Sequence, residues 1–243
     1  MWAITARNLK HELLRALRNF YLPLLLSALL GAIATTSFIL AITHTEVANV
    51  VAIIASAPLF AAAIAQVFIG ERASIRTWLA IFGVVIGILV IVTGSLSRGG
   101  ILGDLLALLA IVAFATNLTI WRKYPNLSRS LVVALTSTFT VLITSTQANP
   151  SMLDRSAFLA TLAMGCFFGP TARFCMATAT RYASTAEVSM FAPVETVCAS
   201  AWVWLVYNEV PPTATFFGAA IVFSALTYGV GGSINRTTNL HSR

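Results

Sequence analysis

The sequence predicts an all-α protein, a polytopic membrane helical bundle of about eight transmembrane helices. Of its 243 residues, 58% are hydrophobic and only 9% are charged, whereas a soluble domain carries about 25% charged residues. The apolar residues form runs of about 20 residues, which is the length needed to cross a bilayer. The connections between these runs are too short to hold a soluble domain.

The fifth of the predicted spans is the most polar. Thr136, Thr140 and Thr144 recur there every four residues and therefore share one face of a helix. This face either lines a water-filled path or donates hydroxyl hydrogen bonds to the backbone or to a neighbouring helix. The predicted spans are 21–42, 47–69, 75–96, 101–121, 130–148, 156–178, 185–207 and 213–232.

The basic residues are distributed unequally between the two sides of the membrane. An even number of spans places both termini on one side, and most of the 15 Lys and Arg residues fall there. Only Arg98 and Arg155 fall on the opposite side, and Arg173 lies inside a span. Cytoplasmic loops are enriched in Lys and Arg, so both termini are expected in the cytoplasm. The net charge of +7 thus indicates orientation in a membrane, and no nucleic-acid partner is expected.

Two stretches of the chain, 46–71 and 184–209, follow the same plan. Each holds a proline within an apolar run and ends on an acid, so that Glu71 corresponds to Glu209 at a spacing of about 138 residues. The same spacing places Gly31 on Gly169. The odd number of spans from one copy to the next reverses the second copy, which predicts an inverted repeat of the kind that builds transporters.

This register divides the chain into four parts. The counterparts of spans 101–121 and 130–148 would lie mostly before Met1, so the first repeat is expected to be incomplete. The predicted parts are a cytoplasmic basic segment 1–20, a first repeat of three helices 21–96, a second repeat of five helices 101–232, and a cytoplasmic tail 233–243.

Short motifs in both halves resemble those of the drug/metabolite transporter superfamily, EamA type. They are T-E-V-A-N at 45–49, S-A-P-L-F at 56–60, V-F-I-G-E at 67–71, A-T-R-Y-A-S-T-A-E-V at 179–188, V-E-T-V at 194–197 and V-Y-N-E-V-P at 206–211. The resemblance implies ten helices in two inverted five-helix repeats, with small metabolites passing through the centre. Compared with the family pattern, the first two helices are expected to be absent from this chain, and Thr196 stands where the family often has a proline.

Glu195 and Arg173 are the charged residues placed deepest in the predicted spans. Glu195 lies near the middle of span 185–207, where a carboxylate either binds protons or solute, or is neutral and hydrogen-bonded between helices. Arg173 lies near the cytoplasmic end of span 156–178, and its best match in depth is Glu187. An ion pair or snorkelling to the interface is one interpretation of Arg173. If it faces a cavity instead, it favours an anionic or zwitterionic solute.

The remaining polar candidates for the solute path are Asn117, Gln66 and Trp202, each of which is either helix–helix contact or path lining. Three prolines within spans are expected to break helices and so to mark a central cavity: Pro58, Pro170 and Pro193.

Residues at span ends and in small-residue motifs are expected to be structural. Glu71 and Glu209 should contact the starts of neighbouring helices. Gly83-x-x-x-Gly87 and Gly165-x-x-x-Gly169 should allow helices to approach closely.

No combination of side chains predicts catalysis. The three histidines lie outside the spans, and the three cysteines lie within them without metal-ligand spacing, so no enzyme activity, cofactor or metal is expected. The sequence therefore predicts an inner-membrane transporter that moves a small polar metabolite, an amino acid or similar, by alternating access with proton coupling. Its partners would be the lipid bilayer and the solute, with a homodimer left open. The alternative is a truncated fragment that functions only by pairing with another membrane chain.

Overall fold

The computed structural model is helical through most of the part of the chain that it describes, and the predicted all-α membrane bundle is confirmed. The described backbone comprises residues 2–45, 47–92, 100–145, 154–207 and 213–241. Side chains are described for those of these residues that lie within 20–229, except 48, 91–92, 157, 196, 199–200, 202–204, 206–207 and 214–215.

The helices follow the predicted spans in order, and three spans are each divided into shorter helices. The divided spans are 47–69, 156–178 and 185–207. The helices are α1 (Trp2–His44), α2 (Val47–Ile54), α3 (Ala57–Ile69), α4 (Ile75–Val92), α5 (Ile101–Lys123), α6 (Arg129–Thr144), α7 (Arg155–Ala163), α8 (Gly169–Ala179), α9 (Thr185–Ser189), α10 (Ala192–Tyr207) and α11 (Thr213–His241). A π-helical turn, Met164–Phe168, joins α7 to α8.

Four helical segments of the described chain are long and apolar enough to cross a membrane: Phe20–His44, Asn49–Ile69, Ile101–Lys123 and Phe158–Ala179. Three further apolar helices are shorter: Ile75–Val90, Arg129–Thr144 and Phe216–Gly229. Large apolar side chains are exposed on the outside of the bundle, among them Phe167 at 74% and Val67 at 79%. An exposed apolar surface of this extent is typical of a protein that faces lipid.

Each proline singled out in the sequence lies at the second residue of a helix that follows an interruption. They are Pro58 in α3, Pro170 in α8 and Pro193 in α10. A proline is tolerated in the first turn because the N–H that it lacks would have no intrahelical partner there. α1 also changes direction, because Phe20 has a non-helical backbone conformation (φ −137°, ψ 25°).

Helix boundaries near the breaks of the two halves correspond at a spacing of 135 residues. α1 ends at His44 and α8 at Ala179, α2 ends at Ile54 and α9 at Ser189, and α3 begins at Ala57 and α10 at Ala192. This spacing is three residues shorter than the 138 at which Glu71 and Glu209 match in the sequence.

α4 and α11 pack along one another through small residues. A Cβ atom added at Gly83 would lie 2.8 Å from the Cβ of Ala225, and one added at Gly87 would lie 2.7 Å from Cγ2 of Val222. The close approach predicted for Gly83-x-x-x-Gly87 is therefore confirmed.

The same prediction is wrong for Gly165-x-x-x-Gly169. A Cβ added at Gly165 would meet no atom within 4 Å, and at Gly169 it would meet only the backbone carbonyl group of Met164 in the same helical segment. This segment presents its small residues to open space because no other described helix approaches it there.

The membrane-spanning part of α1 packs against α5 and α6. Leu24 of α1 shares a buried apolar cluster with Leu118 and Trp121 of α5 and Val132 of α6. This arrangement holds the polar face of α1, described next, inside the bundle.

Candidate solute path

A polar stripe runs along one face of α1 and contacts three other helices in turn. It consists of Ser27, Gly31 and Thr35, whose four-residue spacing places them on one side of a helix. Ser27 donates a hydrogen bond to Oδ1 of Asn117 at 2.6 Å and accepts one from Nε1 of Trp121 at 2.7 Å. Ser27, Asn117 and Trp121 are all buried, so this chain of hydrogen bonds satisfies polar groups that water does not reach.

The middle of the stripe is closed by Thr136 of α6. A Cβ added at Gly31 would lie 2.9 Å from Cγ2 of Thr136 and 3.3 Å from Nδ2 of Asn117. The hydroxyls of Thr140 and Thr144 donate to the carbonyl oxygens four residues earlier, each at 2.8 Å. These two hydroxyls thus bond within their own helix, which is one of the two arrangements expected from the sequence.

Arg173 of α8 meets the outer end of the stripe. Its Nη2 donates to Oγ1 of Thr35 at 2.5 Å, and the Thr35 hydroxyl donates to the carbonyl oxygen of Gly31 at 2.9 Å. Thr35 and Arg173 are 138 residues apart, so this contact joins distant parts of the chain. Glu187, the partner expected from the sequence, is engaged elsewhere.

Glu187 stabilises the start of α9. Its Oε2 accepts a hydrogen bond from the backbone N–H of Ser184 at 3.0 Å, and the Ser184 hydroxyl accepts one from the backbone N–H of Glu187 at 3.2 Å. This reciprocal capping box satisfies two backbone donors that have no intrahelical partner.

Glu71 links several helix ends on the predicted cytoplasmic side. Its Oε2 accepts from the backbone N–H and the hydroxyl of Thr185, at 3.2 and 3.0 Å, at the first residue of α9. The contact expected between Glu71 and a neighbouring helix start is therefore confirmed. Its Oε1 accepts from Nε of Arg122 at 3.1 Å, and Nη1 of Arg122 donates to the carbonyl oxygen of Thr180 at 3.0 Å. We call Glu71, Arg122, Thr180 and Thr185 the cytoplasmic clasp.

A cleft of about 420 Å³ lies beside the clasp, between the α3–α4 connection and the start of α9. Both signs of charge line it, since Glu71, Arg72, Arg76 and Glu187 all contribute. The guanidinium of Arg76 also lies 4.9 Å from the ring centre of Tyr228 on α11, a cation–π distance. The cleft is polar enough to hold water or a small charged solute.

The other residues predicted for the path are not brought into this arrangement. Glu195 is exposed on α10 and has no hydrogen-bond or ion-pair partner among the described residues, and Gln66 is exposed on α3. The side chain of Trp202 and the whole of Glu209 lie outside the described residues. Cys166, Cys175 and Cys198 are free and exposed.

Sequence reasoning missed Ser27, Thr35 and Trp121. Two signals were available: the four-residue spacing of Ser27, Gly31 and Thr35, and the repeat spacing, which leads directly from Arg173 to Thr35. The partnership of Ser27 with Trp121 had no sequence signal, because the two residues are separated by 94 positions with no periodic relation.

The all-helical membrane fold, the broken helices and the polar stripe inside it define a membrane transporter as the class of protein. The EamA-like transporter family model matches residues 3–93 and 101–228. The chain therefore belongs to the EamA-like transporter family, within the drug/metabolite transporter superfamily.

Solved structures share the fold. Matches are found with 22 chains, one of them a crystal structure described only as that of a protein. It superposes with a TM-score of 0.67 at 14% sequence identity, over 85% of this chain and 86% of that chain. No curated protein matches the chain. At this identity the structural likeness establishes the fold alone.

Proposed function

We propose that this chain moves a small polar metabolite, an amino acid or a similar solute, across the cell's inner membrane by alternating access. The observation that carries the proposal is the pair of broken helices, α2–α3 and α9–α10, whose breaks lie 135 residues apart in the two halves. Inverted repeats with a site between them are the architecture of many secondary transporters.

The two repeats are 21–96 and 101–232, and their broken helices meet each other in the bundle. Ala55, in the break between α2 and α3, belongs to a buried cluster with Val197 of α10, and Val194 packs against this cluster. Discontinuous helices near the bilayer midplane are typical of transporter sites, because the interrupted backbone can face a cavity. The contact of the α2–α3 break with α10, the second helix of the other broken pair, supports a central site between the repeats.

The cytoplasmic clasp supplies the closed gate of the transport cycle. Glu71 lies on the α3–α4 connection of the first repeat, whereas Arg122, Thr180 and Thr185 belong to the second. Bonds that cross between repeats at one end of the path must break when that end opens. Since both ends cannot be open together in alternating access, the clasp holds the cytoplasmic end closed while the solute exchanges on the other side.

Glu195 supplies the proton-coupling group of this proposal. It follows the break between α9 and α10, is exposed, and has no hydrogen-bond or ion-pair partner among the described residues. A carboxylate inside a membrane span is costly to keep charged, so its protonation is readily coupled to a change in its surroundings.

We predict that Glu195→Gln abolishes solute uptake driven by a pH gradient in proteoliposomes, while the variant still inserts into membranes. Uptake is measured for a panel of radiolabelled amino acids. The matched control is Asp154→Asn, which removes the same charge at the start of α7. A hydrogen bond from the Ser156 hydroxyl lowers the pKa of Asp154, so this exposed carboxylate stays ionised at neutral pH and should not matter.

The two variants separate the parts of the proposal. Gradient-driven uptake that survives in Glu195→Gln removes this residue from the mechanism. If the wild-type chain moves no member of the panel, with or without a pH gradient, the transport of amino-acid-like solutes is contradicted.

A further inference from the structure

Arg173 carries a charge that no described carboxylate neutralises. The ion pair found among the described residues joins Arg122 to Glu71, and Glu187 is committed to its capping box. The hydrogen bond of Arg173 goes to the neutral hydroxyl of Thr35. A cation inside a membrane span costs free energy unless it is paired, so such residues mark solute or ion sites.

The guanidinium retains donors for a ligand. Arginine has five N–H donors in a planar fork, and the described contacts of Arg173 use Nη2 for a single bond to Thr35. Nε and Nη1 remain, and the side chain is only half-buried. A planar fork of this kind matches the two oxygens of a carboxylate and binds it with two parallel hydrogen bonds.

The direction of the side chain argues against a lipid phosphate as the ligand. The backbone of Arg173 lies about 8 Å from the cytoplasmic end of its predicted span, at 1.5 Å per helical residue. Thr35 lies about 20 Å from the cytoplasmic end of its own predicted span by the same measure. The side chain therefore extends from the headgroups towards the middle of the membrane, which is opposite to snorkelling.

The contact between Arg173 and Thr35 also joins the two proposed repeats, 21–96 and 101–232. Transporters built from inverted repeats bind their solute at the interface between the repeats, where it is reached from either side in turn.

We propose that Arg173 binds a carboxylate group of the transported solute, with Thr35 holding the guanidinium in place, so that the solute is an anion or a zwitterion. This assignment rests on the proposed transport function and names the class of its substrate. Thr35 is a positioning residue, because its own hydroxyl donates to Gly31 and it acts through the guanidinium.

The test is ligand binding to the purified full chain in nanodiscs of phosphatidylcholine, which lack an anionic lipid. The probes are L-leucine, succinate and isoamylamine, the last being leucine without its carboxylate. At least one of the two carboxylate probes should raise the unfolding temperature of the wild type, and isoamylamine should not. Absence of a shift with both carboxylates, or an equal shift with isoamylamine, overturns the proposal.

Variants locate the binding to Arg173. Arg173→Gln should weaken carboxylate binding about 30-fold or more, the expected effect of removing one partner of a hydrogen-bonded charge pair. Arg173→Lys keeps the charge without the fork and should bind with intermediate affinity. Arg181→Gln, an equal charge change at an exposed residue, should bind as the wild type does. If Arg173→Gln does not fold, Thr35→Val provides the second arm and should bind carboxylates more weakly than the wild type.

Further outcomes distinguish the binding of a solute from the binding of a lipid, and a failure of the carboxylate site from a failure of transport. If phosphatidylglycerol stabilises the wild type but not Arg173→Gln, and no carboxylate probe does, Arg173 holds a lipid headgroup and the proposal falls. If a cationic or neutral solute is transported equally well by the wild type and Arg173→Gln, transport stands and the carboxylate site falls. If carboxylates bind in an Arg173-dependent way but no solute is taken up, the carboxylate site stands and the transport function falls.

Discussion

The membrane part of α1 and the segment from α7 to α8, which the proposed repeat relates to one another, have different surroundings. A third (33%) of the most apolar window of Phe20–His44 is buried, against none (0%) of that of Phe158–Ala179. The polar stripe Ser27, Gly31 and Thr35 lies 138 residues before Gly165, Gly169 and Arg173. The first set is packed against α5 and α6, whereas Gly165 has open space around it.

The difference shows that a similar sequence pattern does not determine how a helix is packed. α1 lies against α5 and α6, so its small residues must stay small. In the described part of the chain, the segment from α7 to α8 is instead held near its C-terminal end, where Arg122 binds the carbonyl oxygen of Thr180. The outer part of that segment is therefore the less constrained copy.

The largest loss of stability is expected when the buried hydroxyl of Ser27 in α1 is removed. Ser27→Ala leaves Nε1 of Trp121 and Oδ1 of Asn117 without partners in a buried site. Each unsatisfied buried group costs about 1–3 kcal/mol, so the free energy of unfolding should fall by about 3 kcal/mol. Equilibrium unfolding in mixed micelles measures this. Ser224→Ala, an exposed serine bonded only to its own helix, is the control, and equal losses in both variants would contradict the prediction.

A smaller loss of stability, with a sharper contrast, is expected between Gly31 of α1 and Gly165 of the segment from α7 to α8. Gly31→Ala places a Cβ 2.9 Å from Thr136, and overpacking of this kind costs about 1–3 kcal/mol. Gly165→Ala meets nothing and should change the unfolding free energy by less than about 0.5 kcal/mol. The same unfolding assay applies to both variants, and a similar loss at the two positions would remove the distinction drawn between the helices.

Weakening the clasp should change the free energy of unfolding only slightly, but it should clearly change how accessible the neighbouring cleft is to a labelling reagent. Glu71→Gln keeps the size of the side chain but removes the charge that pairs with Arg122, and both side chains are partly exposed (20% and 33%). We expect a loss of about 1 kcal/mol, since solvent screens such a pair, together with faster labelling from the cytoplasmic side of Ala73→Cys, a position that lines the cleft beside the clasp. Glu187→Gln provides the comparison, because it weakens the capping box without touching Arg122. Unchanged labelling in Glu71→Gln would exclude the clasp as a gate.

The fold was predictable because apolar run length and charge asymmetry act locally along the chain. Runs of about 20 apolar residues give spans directly, and prolines such as Pro58 and Pro193 signal helix interruptions, although not the residues at which α3 and α10 begin. The contact of Glu71 with the start of α9 was also predictable, because an acid at a span end favours unsatisfied backbone N–H groups.

The partners inside the bundle were not predictable in the same way. Because of its depth in the predicted span, Glu187 was expected to pair with Arg173. Glu187 instead accepts a hydrogen bond from the backbone at the start of α9, and Arg173 donates its hydrogen bond to Thr35. Several side chains lie at the same depth in the membrane, so depth alone does not identify the partner. The rotation of each helix about its axis also matters, and it depends on packing between helices that are far apart in the sequence. Glu195 illustrates the same limit, since its position near mid-span does not determine which way it faces.

The central claim is that the two halves are copies inserted in opposite orientations. Its most direct measurement is the labelling of single cysteines at Thr43→Cys and Arg181→Cys, two exposed positions one repeat spacing apart, with a membrane-impermeant maleimide. The three native cysteines are first replaced by alanine. In intact cells the account predicts labelling at position 43 alone, and at position 181 only after permeabilisation. Labelling of both positions from the same side would contradict it.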